Sequence, residues 1–188
     1  MLVGITGNFV TGKSAFINII RSLGFDTYET DKIVKDLYKN DDLIEKIGKE
    51  FGSTVTLGGN VDNDLLRTIV FNNKKKLEKL NSLMHPLVLE IIKKINHENK
   101  IVFVEVPLLF ETKMEKNFDK IVLIKSSYET AKQRSKRRGF TDIEFDQIRE
   151  SQEPDQKKEK KADWIIDTEG SISKLREKAR EIAKELGG

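Results

Sequence analysis

Residues 7–14 read Gly-Asn-Phe-Val-Thr-Gly-Lys-Ser, a G-x-x-x-x-G-K-S spacing that leaves few folds open. The run before it, MLVGIT, is short and apolar and reads as a buried strand. The run after it, KSAFINIIRSLG, has apolar residues at helical spacing, with Gly24 as a stop. Strand, loop and helix in this order form a cradle for phosphate. Gly12, with no Cβ, lets backbone N–H groups close round a β-phosphate, and the helix starting near Lys13 adds its positive end. Lys13 then bridges β- and γ-phosphate oxygens, and the Ser14 hydroxyl is a ligand for Mg²⁺. The expected ligand is a nucleoside triphosphate, held by Gly7, Asn8, Phe9, Val10, Thr11, Gly12, Lys13, Ser14 and Ala15. The alternative is an ordinary βα turn, against which the satisfied context on both sides argues.

The rest of the chain supplies more strand and helix in alternation. FDTYET reads as an edge-like strand delivering Asp31 at or just past its end, and DKIVKDLYKN, NDDLIEKIGKEFG and NDLLRTIVF read as helices. NNKKKLEKLNSLM and PLVLEIIKKINHEN read as two helices parted at His85-Pro86, since proline suits a first helical position. The β-branched run in KIVFVEVPLLF fits a strand buried on both faces of a parallel sheet. FDKIVLIKS and ADWIIDTEG add two strands, and SISKLREKAREIAKEL an amphipathic last helix. Ser126 with Glu129, and Thr141 with Glu144, have capping-box spacing for two helices between those strands. The pattern predicts an α/β fold, a parallel sheet with right-handed crossovers.

Composition narrows the chemistry. At 188 residues and 37% hydrophobic, the chain suits one compact domain with room for a small inserted lobe. With no Cys and two His, any metal is held by oxygen. The most apolar segment, IVFVEVPLLF, is too short for a membrane span and carries Glu105, and no signal-peptide pattern opens the sequence. A soluble, cytoplasmic protein that binds neither membrane nor nucleic acid is expected. The net charge is only +3, and acidic residues interrupt the lysine run near residue 157 without aromatic stacking partners.

Three further features bear on chemistry. Asp31 has two readings, a carboxylate that orients an acceptor hydroxyl and takes its proton, or a cap for the helix that follows. Glu105 is a candidate to hold a metal-bound water, or equally a structural partner of Lys13. Arg134, Arg137 and Arg138 form either a solvated helix face or a basic lid that supplies charge and excludes water.

Taken together, GNFVTGKS, ETD, LMHPLV, VFVEVPLLFET, ETAKQRSKRR, SQEP and ADWIIDTEG resemble the dephospho-coenzyme A kinase family from residue 1 to about 185. The resemblance implies ATP-dependent phosphorylation of the ribose 3′-hydroxyl of dephospho-CoA, the last step of CoA synthesis, with Mg²⁺. It implies a P-loop kinase fold, here one domain over 1–188 with a helical acceptor-binding region at about 32–98 and a helical lid at about 134–160. On matching positions, Asp31 is the catalytic base, with Lys13 and Arg138 as catalytic partners. His85, Pro86, Leu108, Leu109, Phe110, Glu111 and Arg134 fall on the acceptor side, Gln152 near the lid's return, and Asp167, Thr168 and Gly170 beside the adenine. The chain departs from the family's usual pattern at Asn8 and Val10, where small residues are common, at Asn63 for an arginine, at Thr168 for an asparagine, and in the lysines of DQKKEKK. A nucleoside monophosphate kinase shares the loop and lid but fits LMHPLV and VPLLFE poorly. A nucleotide-dependent switch would need a guanine-recognition N-K-x-D sequence, which is absent.

Overall fold

The structure, a computed structural model, describes residues 1–71, 73–95 and 100–187. The expected end of the acceptor-side region, 96–98, lies outside them, as do Asn72 and residue 99 of the expected flanking helices. Contacts divide the chain into a sheet unit, Met1–Glu29 with Asn96–Gly188, and a helical unit, Thr30–Ile95.

The sheet unit holds five parallel strands: β1 (Leu2–Thr6), β2 (Asp26–Glu29), β3 (Val102–Glu105), β4 (Lys120–Lys125) and β5 (Trp164–Asp167), in the order β2-β3-β1-β4-β5. β1, wholly buried and central, pairs with β3 through Leu2↔Val102 to Ile5↔Glu105, and with β4 through Val3↔Lys120 to Thr6↔Leu123. A strand covered on both faces has no solvent side for polar alternation, which is why this stretch reads as an unbroken apolar run. On one face, helix α1 (Lys13–Ser22) and the C-terminal helix, Ile172–Glu185, bury Phe16, Ile17, Ile20, Leu175, Ala179 and Ile182 against Val3, Ile5, Phe103, Val122 and Ile124. On the other face Leu109 and Phe118 come so close to β1 that a Cβ at Gly4 would lie 3.1 Å from the Phe118 ring. Three helices lie between β4 and β5.

The helical unit comprises α2 (Thr30–Leu37), α3 (Asp41–Phe51), a 3-10 stretch at Ser53–Gly59, α4 (Asn63–Phe71) and α5 (Lys74–Ile95). Its own core is Leu43, Ile44, Ile47, Phe51, Val55, Leu66, Val70 and Met84. Here one expectation is corrected: α5 runs through His85-Pro86 as one helix. Proline inside a helix costs about 3 kcal/mol. Leu80, Leu83, Met84 and Leu87 keep one apolar stripe packed on the core across that point, which offsets the cost. A smaller correction concerns α6 (Tyr128–Arg137), whose cap is Ser127, accepting from the Thr130 N–H; Ser126 stands one residue too early. The capping box at Thr141 and Glu144 is formed, opening α7 (Asp142–Glu150). The short α8 (Asp155–Glu159) follows, and the C-terminal helix is α9.

Candidate active site

The loop between β1 and α1 is shaped by two glycines. Gly7 has φ 151°, and a Cβ there would stand 2.0 Å from the Ile124 carbonyl oxygen, so only glycine lets β1 run into the loop beside β4. Gly12, at φ 104°, caps α1, and a Cβ there would meet Thr168 at 3.3 Å. We expect Gly7→Ala to lower unfolding free energy by about 3 kcal/mol through the backbone clash and the strained φ, measured by urea denaturation. Unchanged stability would contradict the close approach. Val10 also has positive φ, 60°, an uncommon conformation for a β-branched side chain, and is buried.

No acidic residue occupies the first turn of α1, so its positive end faces the loop uncompensated. Lys13 Nζ donates to the carbonyls of Gly7 and Asn8, both at 2.9 Å, which holds the ammonium over the loop. Ser14 is exposed beside it. Glu105, buried at the end of β3, shares a register position with Ile5 of β1 and Glu29 of β2. Parallel strands deliver their C-terminal ends to one edge, so the phosphate loop, Glu29 and Glu105 all lie there.

Beside the loop opens a cleft of about 730 Å³ lined by Val10, Gly12, Ala15, Arg134, Arg138, Asp167, Thr168 and Gly170. Its apolar floor includes Ile165 and Ile172, which are 46% and 61% exposed although large and hydrophobic. Arg137, Lys174 and Lys178 make its wall strongly basic. Arg134 lines this cleft: Nη1 donates to Thr168 Oγ1 at 2.8 Å and Thr11 O at 3.3 Å, and Nη2 to Thr168 O at 2.7 Å. The Thr168 hydroxyl donates to Thr11 O at 2.7 Å, so one threonine joins the loop to the end of β5. Next to it Glu169 accepts from the Thr130 hydroxyl and the Ser127 N–H, which hold its carboxyl below the usual glutamate range and fix α6 against this loop.

The residues expected on the acceptor side fall in both units. In the sheet unit Leu109 and Phe110 are core, so only Leu108, 43% exposed, offers an apolar surface. Glu111 turns inward to Lys158. In the helical unit Asp31 is the second residue of α2, and His85 lies in α5, where burial holds its imidazole below the ordinary histidine range and so neutral at pH 7. The helix begins at Thr30, so Asp31 lies two positions past the cap.

Comparison with known proteins decides the family. The dephospho-CoA kinase family model matches residues 1–174. The chain belongs to the dephospho-CoA kinase family. A dephospho-CoA kinase of Fusobacterium nucleatum is 34% identical over 99% of this chain and 98% of its own. Among solved structures, a Thermus thermophilus protein aligns at TM-score 0.86 with 27% identity, covering 100% of this chain and 98% of that one. The dephospho-CoA kinase from Campylobacter jejuni aligns at TM-score 0.65 with 30% identity, over 98% and 96% of the two chains. Within this family's P-loop kinase fold, sequence reasoning passed over Lys158 as part of a solvated lysine run, although it is fully buried. It also passed over Lys174 and Lys178. Ile172 followed by Lys174 and Lys178, just past IDTEG, was the available signal.

Proposed function

We propose that the sheet unit binds ATP through the 7–15 loop and that Asp31 activates the acceptor hydroxyl. The chain is a phosphotransferase that uses ATP to phosphorylate dephospho-CoA, completing coenzyme A synthesis. One observation carries the assignment of roles: β1 and β2 end at the same edge of a parallel sheet, the first running into the phosphate loop and the second leading within two residues to Asp31. Transfer of the γ-phosphoryl group asks mainly for positioning and for charge placed where charge moves. Backbone N–H groups of the loop and the α1 terminus bind the β-phosphate. Lys13, aimed by its two carbonyl partners, bridges β- and γ-oxygens, and Arg138, at the end of α6 on the cleft rim, meets the transferring group. The adenine takes the cleft floor between Ile165, Ile172 and Thr168, with Asp167 and Gly170 at its edge. Arg134 acts from this nucleotide side, as a brace of the loop.

Asp31 accepts the proton of the ribose 3′-hydroxyl as the oxygen attacks phosphorus. Leu108 in the sheet unit is an apolar contact for dephospho-CoA, with Leu109, Phe110 and Glu111 supporting it from behind. Within the helical unit His85 and Pro86 are assigned to the same substrate, the neutral His85 ring supplying a hydrogen bond without charge.

A hard divalent cation suits the donors present. Ser14 and Glu105 offer oxygen, and among the described residues no group of three or more His, Cys, Asp or Glu forms a cage of another kind. Ser14, with Glu105 nearby, would hold Mg²⁺, which would supply charge to shield the phosphate oxygens. Among the described residues no helix is long and apolar enough to cross a membrane.

The test is ADP release with Mg-ATP against dephospho-CoA, adenosine monophosphate and cytidine monophosphate. Turnover is expected with dephospho-CoA alone and is expected to disappear with a chelator. Preference for a monophosphate, or transfer that survives metal removal, would overturn the reading.

A further inference from the structure

Lys158 is fully buried, an unusual place for an ammonium, and the groups that satisfy it converge on the tip of the phosphate loop. Its Nζ donates to Glu111 Oε1 at 2.6 Å and to Asn8 Oδ1 at 2.7 Å. The other end of the Asn8 amide donates to Asp155 Oδ1 at 2.8 Å and to the Glu153 carbonyl at 3.3 Å. One residue on, the Phe9 N–H donates to Gln152 Oε1 at 2.8 Å. The segment is itself tied down, with the Glu153 N–H on Glu111 Oε1 at 3.0 Å and Arg149 on Asp155 at 3.3 Å. Asn8 is thus 2% exposed, and both ends of its side chain are engaged by the segment 153–158. The carbonyl of this same residue is one of the two that receive Lys13. Glycine or alanine at position 8 has neither the acceptor for Lys158 nor the donor for Asp155.

We propose that Asn8 is a positioning residue: its side chain fastens the tip of the phosphate loop to segment 152–158 and so fixes the carbonyls that aim Lys13. The inference rests on the kinase reading above. ATP in the ground state is held chiefly by N–H groups at the α1 end of the loop, beyond residues 8 and 9 that carry this fastening. Precise placement of the Lys13 ammonium matters in the transition state, where misplacement is costly.

The experiment compares wild type with Asn8→Ala, Asn8→Ser, Asp155→Ala and the Asn8→Ala/Asp155→Ala double variant. The serine, too short to span Asp155 and Lys158 together, serves should the alanine variant fold poorly. Expected are a kcat about tenfold lower, a KM for ATP within about threefold of wild type, a Tm within a few degrees, and a double variant no slower than the slower single one. Amide hydrogen exchange at Phe9 is expected to accelerate in every variant, whatever the acceptor. A kcat within twofold of wild type, a matching loss of ATP affinity, additive effects, or unchanged exchange at Phe9 would each overturn the proposal. If wild type itself leaves dephospho-CoA unphosphorylated, the functional reading fails, while the exchange result still decides whether Asn8 fastens the loop.

Discussion

Asp31→Asn is expected to lower turnover by roughly a hundredfold or more while leaving folding and ATP affinity nearly unchanged. Asparagine keeps the shape and hydrogen-bonding reach of the carboxylate and removes its charge and basicity. Asp31 lies in the first turn of α2, where a negative charge complements the helix dipole, and losing that charge costs about 0.3–1 kcal/mol. A purely structural Asp31 would therefore show a small stability loss and full activity. The catalytic reading predicts the reverse, a stable protein that binds ATP and barely transfers. Phosphoryl transfer through a loose transition state asks less of a base than acyl transfer does, so the magnitude measures how far proton removal has advanced when the phosphorus–oxygen bond forms. Steady-state turnover beside calorimetric nucleotide binding separates the two readings.

Lys13→Ala is expected to cost about a hundredfold to a thousandfold in kcat and to weaken ATP binding as well, since the ammonium serves both ground state and transition state. The Lys13 ammonium rests on the Gly7 and Asn8 carbonyls at 2.9 Å each, already gathered over the loop, so little reorganisation precedes its move onto phosphate. The truncation leaves two carbonyl oxygens facing the incoming anion with no cation between them, which adds repulsion to the lost attraction. Turnover within tenfold of wild type would show that the α1 terminus and the cation suffice without this side chain.

How legible this was depended on whether a residue's job is local. The phosphate loop announced itself because its glycines, lysine and serine act within eight positions, and β1 and α1 follow from periodicity on either side. The run through Pro86 was not legible, because what keeps α5 whole is the stripe Leu80, Leu83, Met84 and Leu87 packed on the helical unit's core, a tertiary effect that overrides a strong local break. Leu109 and Phe110 looked like a binding wall in VPLLFE, and only their packing beneath Gly4 and Lys161 shows them to be core. Lys158 was hidden for the same reason in reverse. Five lysines within QKKEKKADWIIDTEGSISK look solvated, yet one of them enters the interior because Glu111 and Asn8, 47 and 150 positions away, wait for it there. The bonds of Arg134 to Thr11 and Thr168 depend on how α6 crosses the end of β5, which spacing does not reveal.

The account's central claim is the transfer of one phosphoryl group from ATP to the ribose 3′-oxygen of dephospho-CoA. Phosphorus NMR of the products formed with Mg-ATP tests it most directly. The expected result is one new phosphomonoester resonance coupled to the ribose H3′, rising in step with ADP. An ester at another position, or ADP accumulating with free phosphate and no ester, would contradict it.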